Sequence, residues 1–442
     1  MPNPILPSWE CIPDGEPRLF GDRVYLYGSH DRVGGASFCD FKLKVWSASV
    51  DDLDHWVCHG TSFQTRPTRN HPADTPHTDH ELFAPDCVEK DGKYYLFPYT
   101  VNARCSLGVS DKPEGPFKWS GLLDGADEDV VDDKIFLDPG VLVDDDGRVY
   151  VYHGFMHSYM NELDKNDLTK VVPGSLKEHI IRDYEDTPRD ERFFEASSIR
   201  KINGKYYLVY SPYHCSRLAY AIADKPEGPF EYKGYLVDNG VDYPGGNDHG
   251  SLCCIKGQWY IFYHRMTNDN ACSRKACAER VYFNEDGTIN PVEMTSLGFD
   301  ESLNPFEPAK AEWACVLTGG SYITELDAMT RVVTRNRIDS VIGYKYFDFG
   351  NDYGTKLMTL AVKTRGRGCE TVLHVRLDAP DGEEIGCGLI GTGDGVTKLE
   401  TKAVTGRHAL YFVFDVTYTD KGARDNLKNH DLCDLQEFVF MK

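Results

Sequence analysis

GDRVYLYGS (21–29), GKYYLFPY (92–99), GRVYVYHG (147–154), GKYYLVYS (204–211) and GQWYIFYH (257–264) are five versions of one phrase. Each has a glycine, a polar residue, and then an alternating run rich in Tyr, Val, Leu and Phe. Asp or Asn stands before several of these glycines, the signature of a tight hairpin feeding a half-buried strand. The glycines are 71, 55, 57 and 53 residues apart, somewhat more than the 40–45 residues of the commonest propeller repeat. One phrase per four-stranded unit predicts a ring of five such units.

A second repeat supports that period. DKPEGPF occurs at 111–117 and again, letter for letter, at 224–230, a separation of 113 residues or two units. Each copy follows a short strand and precedes another aromatic position, so it reads as a Pro-Gly turn between outer strands. After Phe283 the text changes to FNEDGTINPVEMTSLGFDESLNPFEP, read as a closing strand and an irregular linker. From 309 to 442 the phrase is gone, and alternating runs such as MTLAVKT, TVLHVRLD and HALYFVFDVTY suggest a compact β-sandwich. The expected fold is all-β: a five-bladed β-propeller over 1–305 followed by a β-sandwich, jelly-roll-like domain over 309–442.

Composition excludes several partner classes. The chain has 442 residues, 48 Lys plus Arg and 70 Asp plus Glu, for a net charge of −22. So acidic a chain repels phosphate backbones and anionic lipid surfaces, so neither nucleic acid nor membrane is an expected partner. An apolar share of 41% removes disorder. No apolar run reaches the length of a membrane span. The start, MPNPILPSWECIPDG, lacks the pattern of a secretory leader, and a cytoplasmic location is the expectation. The fourteen cysteines contain no CxxC pair, so they read as reduced, mostly buried small hydrophobes rather than a zinc site or a disulfide scaffold. Oligomeric state is left open.

Just upstream of the five glycines stand five ionisable residues: Asp14, Asp86, Asp138, Glu195 and His249, at offsets of seven, six, nine, nine and eight. Equivalent positions on the innermost strands of a propeller converge on one end of its channel, which predicts a polar pocket. An Asp beside a turn often only satisfies backbone N–H groups, and Asp86, following Pro85, is read that way. Glu195 lies in the apolar or small stretch FFEASSI, where desolvation should raise its pKa. A carboxyl so raised beside ionised carboxylates is the pairing that acid–base catalysis uses.

Asn3-Pro4-Ile5-Leu6 with Pro13-Asp14, APD at 84–86, FLDPG around Asp138, FFEAS around Glu195 and GGNDHGS around His249 together resemble glycoside hydrolase family 43, over about residues 3–300. The resemblance implies a five-bladed propeller acting as an inverting glycosidase, chiefly an exo-acting β-D-xylosidase, α-L-arabinofuranosidase or endo-arabinanase. It implies Asp14 as general base, Glu195 as general acid and Asp138 as the carboxylate that tunes the acid. It also implies Arg274 as a sugar-hydroxyl ligand and His249 as a weak ligand of a hydrated calcium ion, with no organic cofactor. The family usually has Pro after the base, where this chain has Gly15, and Glu16 competes with Asp14. The tail, through HALYFVFDV and DLQEFVF, resembles a family 6 carbohydrate-binding module. Aromatics near the strand entries, Phe83, Phe136, Phe194 and Trp9, are placed to stack on a pentose, with a place in the core the alternative for each.

An inverting enzyme needs its two carboxyls roughly 6.5–9.5 Å apart to seat a water, and separate blades facing one pocket provide such spacing. The expected activity is release of terminal α-L-arabinofuranose or β-D-xylose from hemicellulose-derived oligosaccharides. The sequence does not separate these two sugars, because long loops, notably 61–80, build the rim. The alternatives are a catalytically inert carbohydrate-binding propeller, which has no reason to keep both Asp14 and Glu195, and a lyase, which needs a different proton acceptor.

Overall fold

The computed structural model describes residues 1–100, 105–124, 136–351 and 354–442. The fold is all-β, with one short α-helix at Lys421–Leu427 and a 3₁₀ turn at Ala311–Trp313 among the described residues. Up to Val281 the described residues form five antiparallel sheets, each built from consecutive strands. Their first strands are Glu16–Phe20, Phe83–Lys90, Gly140–Val143, Phe193–Ile202 and Ser251–Ile255. Each first strand packs against the first strands of two other sheets, and the circuit closes.

The quoted phrase is the second strand of every sheet, and its glycine is the hairpin turn. Asp91–Gly92 and Asn203–Gly204 both have positive φ at both positions, the geometry of a type I′ two-residue loop, which Asp-Gly and Asn-Gly adopt at least cost. Lys90 pairs with Lys93 and Ile202 with Lys205 across these turns. The two DKPEGPF copies also fold alike. Gly115 N–H donates to Lys112 O and Gly228 N–H to Lys225 O, both at 3.1 Å, and Phe117 and Phe230 are buried.

The fifth sheet has three strands, Ser251–Ile255, Gln258–Thr267 and Asn270–Val281. The closing strand expected after Phe283 is absent. Apart from two isolated bridges, Phe283 with Ile289 and Leu303 with Phe347, residues 284–308 form turns and extended coil, as their prolines and glycines dictate. The N-terminus occupies the outer edge instead. Ile5 N–H donates to Ala276 O at 3.0 Å, and the Asn3 amide both accepts from Ala278 N–H and donates to Ala278 O, each at 2.9 Å.

Beyond 309 two sheets of non-sequential strand order face each other. One carries Cys433–Met441 and Leu357–Gly366, the other Arg407–Val416 and Thr371–Leu377. Alternate residues of TVLHVRL are buried and half-buried in strict succession, as a strand with one covered face requires. Phe347, Phe412, Phe414, Phe438 and Phe440 fill the space between the sheets. The same apolar cluster continues through Ile289, Met294 and Leu303 to Leu218, Tyr220, Ile261 and Tyr263 of the fourth and fifth sheets. The fourteen cysteines are free.

Candidate active site

Four of the five residues upstream of the hairpins converge. Asp14, Asp138, Glu195 and His249, with Arg274, line one cavity of about 350 Å³. Its apolar walls are Phe38, Phe83, Tyr99, Leu137, Phe155 and Phe194. Asp14, Asp138 and His249 each sit just before a first strand, and Glu195 sits inside one. There the register of Phe193–Ile202 shifts twice, around Phe193/Glu195 and Glu195/Ser198, and such bulges re-aim a side chain. Asp14, Ala84, Phe136, Asp138 and Ala196 all have φ between +28° and +68°. Left-handed backbone at non-glycine residues is costly and gathers at functional sites.

Arg274 organises the charge. Its Nη1 donates to Asp14 Oδ1 at 2.8 Å, while Nε and Nη2 donate to the two oxygens of Asp31 at 2.9 and 3.0 Å. Burial alone would raise the Asp14 carboxyl, but Arg274, with His249 and His264, outweighs it and holds the group at about 2. Glu195 goes the other way. Burial first, and the Asp14 charge second, push it up to about 7. Burial, Glu195 and Asp14 together raise Asp138 well above the ordinary carboxyl range, although its Oδ2 accepts from Ala196 N–H at 3.2 Å. Asp138 and Glu195 therefore titrate as a pair, and at neutral pH the pair retains a proton beside an ionised Asp14.

His249 lies between the carboxylates, with Nδ1 at 3.8 Å from Asp14 and 3.9 Å from Asp138. Burial lowers its pKa. The donors do not assemble an oxygen cage there. Among the described residues, the groups of three His, Cys, Asp or Glu donors able to hold an ion lie elsewhere and exclude His249. The carboxylates of the neighbouring first strands are already neutralised by arginines, Glu16 by Arg200 at 2.7 Å and Asp86 by Arg18 at 2.5 Å. One imidazole among waters suits calcium, which takes six to eight oxygens, only as a weak site.

Other expectations resolve individually. Glu16 is buried, engaged with Arg200 and the Ser251 hydroxyl, and outside the cavity lining, so it does not compete with Asp14. Asp86 likewise serves structure, accepting from Arg18 and from Val141 N–H. Phe83 and Phe194 line the cavity. Phe136 does not: it is 3% exposed and packs on His153 at 4.4 Å, because its left-handed backbone turns the ring into the core. Trp9 packs on Trp46 instead, at 5.7 Å. Arg274 reaches the cavity, but most of its donors are engaged by carboxylates.

Sequence reasoning missed Asp31, Phe38, Tyr99, Phe155 and His264. Asp31, in SHDR after the first phrase, carried no repeat signal. His264 ends the fifth phrase where the others end in Gly, Ser or Tyr, and that departure was the available signal. Its Nε2–H donates to Asn247 O at 2.9 Å, leaving Nδ1 to accept Asp14 N–H at 3.3 Å. Burial lowers its pKa to about 3, so it is a neutral prop for Asp14.

Comparison with known proteins gives a consistent picture. The family model described as "Glycosyl hydrolases family 43" matches residues 2–289. The chain is 34% identical to a xylosidase/arabinosidase of Thermoclostridium stercorarium, covering 98% of each chain. It is 31% identical to a beta-xylosidase of Xylanibacter ruminicola, over 65% of this chain and 98% of that one. Among solved structures it resembles a β-xylosidase/α-arabinofuranosidase from a compost microbial metagenome, in complex with xylotriose and in a calcium-free form. There the TM-score is 0.55 and the identity 27%, over 66% of this chain and 98% of the other.

Proposed function

The chain belongs to glycosyl hydrolase family 43, and from that premise we infer how it works: it is a glycosidase that removes terminal pentose, arabinofuranose or xylose, from oligosaccharides, and it does so by single displacement with inversion. The observation that carries the mechanism is that one small cavity holds Asp14, paired with Arg274, and Glu195, desolvated with no cation paired to it among the described residues. That arrangement holds Asp14 at about 2 and pushes Glu195 up to about 7. Glu195 donates its proton to the leaving glycosidic oxygen. Asp14 takes a proton from a water, whose oxygen attacks the anomeric carbon as the glycosidic bond breaks. Asp138 shares the acid's proton and, through Ala196 N–H, fixes the bulge that aims Glu195. A carboxylate at about 2 is a feeble base. Sugar hydroxyls that draw Arg274 donors away from Asp14 would restore its basicity as substrate binds.

In this reading the five sheets are the blades of a propeller over 1–305. The two sheets of 309–442 form a sandwich of carbohydrate-binding-module type, and every residue lining the catalytic cavity precedes 275. A cavity of about 350 Å³ is at the small end for ligand sites and suits one sugar at a chain end. The apolar walls offer its faces stacking surfaces. An inert sugar-binding propeller has no use for a carboxyl held near neutrality beside an ionised one. A calcium ion here would be held by His249 and mainly through waters. Proton NMR of the first-formed sugar tests the mechanism: inversion of the anomeric configuration is expected, and retention overturns Asp14 as base.

A further inference from the structure

Close in sequence to Phe155, which walls the cavity, two imidazoles and a carboxylate meet. His179 Nδ1 is 2.6 Å from Asp183 Oδ1, and His157 Nδ1 is 3.7 Å from Asp183 Oδ2. The three donor atoms lie within 4.8 Å of one another. Ligand atoms around zinc, at its usual bond lengths, stand roughly 3–3.5 Å apart. Both imidazoles approach the one carboxylate, His179 as a hydrogen bond and His157 at 3.7 Å, and with all three donors this close, rotation of the exposed rings would bring them to that spacing. The Asp183 side chain is 0% exposed, and those of His157 and His179 are 48% and 35% exposed. The carboxylate is thus fixed while the imidazoles stay reachable from solvent.

The support that ligating carboxylates need is present. Ser158 N–H donates to Asp183 Oδ2 at 2.8 Å, and the Ser158 hydroxyl exchanges bonds with Ile181 N–H and O, both at 3.0 Å. Both imidazoles would bind as the Nε2–H tautomer, through the Nδ1 lone pair. Imidazole with carboxylate is a donor set for zinc, nickel or copper rather than calcium. The link to the pocket is short. Phe155 precedes His157 by two residues, its ring lies 4.9 Å from that of Phe194, and Met156 N–H donates to Phe194 O at 2.6 Å.

We propose that His157, His179 and Asp183 bind a divalent transition-metal ion of zinc-like chemistry, and that the ion, through the short link from His157 to Phe155, fixes the Phe155 wall of the pocket. The test is equilibrium dialysis of the chelator-stripped full chain against zinc chloride, with metal analysis. It compares wild type, His157→Ala, His179→Ala and, as control for the His374, Glu384 and Cys387 group in the tail, Cys387→Ser. One equivalent of zinc should be lost in each histidine variant and not in Cys387→Ser. Equal zinc in wild type and both histidine variants overturns the site, whatever the enzyme's activity. Zinc should also change KM for an aryl pentoside severalfold in wild type and not in His157→Ala. A KM effect that persists in His157→Ala places zinc on the pocket carboxylates, and no KM effect in wild type leaves the wall unmoved; either overturns the coupling.

Discussion

One guanidinium, that of Arg274, touches both Asp31 and Asp14, and the protonation of the whole pocket follows from where its charge falls. Near Asp14, together with His249 and His264, it outweighs burial; at Glu195 it does not. Replacing it by Gln leaves burial to dominate at Asp14, so that carboxyl should rise above its ordinary range. A kcat/KM profile from pH 3 to 6, below the limb that Glu195 sets near 7, should then show an acid limb in Arg274→Gln where wild type stays flat. An unmoved limb would separate Asp14 from the acid side of the reaction. Glu195→Gln should cost about 10²–10⁴-fold on substrates with poor leaving groups and much less on activated aryl glycosides, which need little protonation. Equal losses on both would remove Glu195 as the acid. The variant also carries a sign in stability. A carboxyl raised in the fold contributes fully below its unfolded pKa and loses that contribution as pH rises through the folded value of about 7. Glu195→Gln should therefore match wild type near pH 4 and be more stable at pH 8, by roughly 3 kcal/mol.

At the scale of the element, what was legible in the sequence was local. Asn203–Gly204 needs only two left-handed residues between alternating runs, and such a turn is written in adjacent letters. The aim of Glu195 and Phe136 was not legible. It depends on bulges and positive φ at Asp138 and Ala196, where alternation no longer tells which face a side chain takes. Closure was misread for a related reason. The edge of the fifth sheet is covered by residues 3–5, whose partners Ala276 and Ala278 lie more than 270 positions away. That segment should matter beyond its size. Ile5 is 0% exposed, so Ile5→Ala should cost about 2–5 kcal/mol. Asn3→Ala would leave the buried Ala278 N–H without its partner, for about 1–3 kcal/mol. Urea unfolding measures both, and midpoints within error of wild type would show the ring closed without the N-terminus.

For the molecule as a whole, the change of sequence texture after Phe283 marks where the repeated phrase ends, but the core does not stop there. Leu218, Tyr220, Ile261 and Tyr263 on one side and Phe347, Phe412 and Phe438 on the other belong to one apolar cluster bridged by Ile289, Met294 and Leu303. Composition and periodicity cannot show this, because they record that a strand has a buried face and not which sheet covers it. The consequence is thermodynamic. Two units that share a few polar contacts unfold separately, whereas units that share a core lose it together. Scanning calorimetry of the full chain should therefore give a single transition, with its calorimetric and van't Hoff enthalpies in agreement. A chain ending at Pro308 keeps every cavity-lining residue but exposes the apolar side of the fourth and fifth sheets, and it should aggregate or unfold at a lower temperature. Two resolved transitions in the full chain, with the truncated form as stable as the first of them, would mean that the tail is a passenger and that the shared cluster contributes little to holding the catalytic ring together.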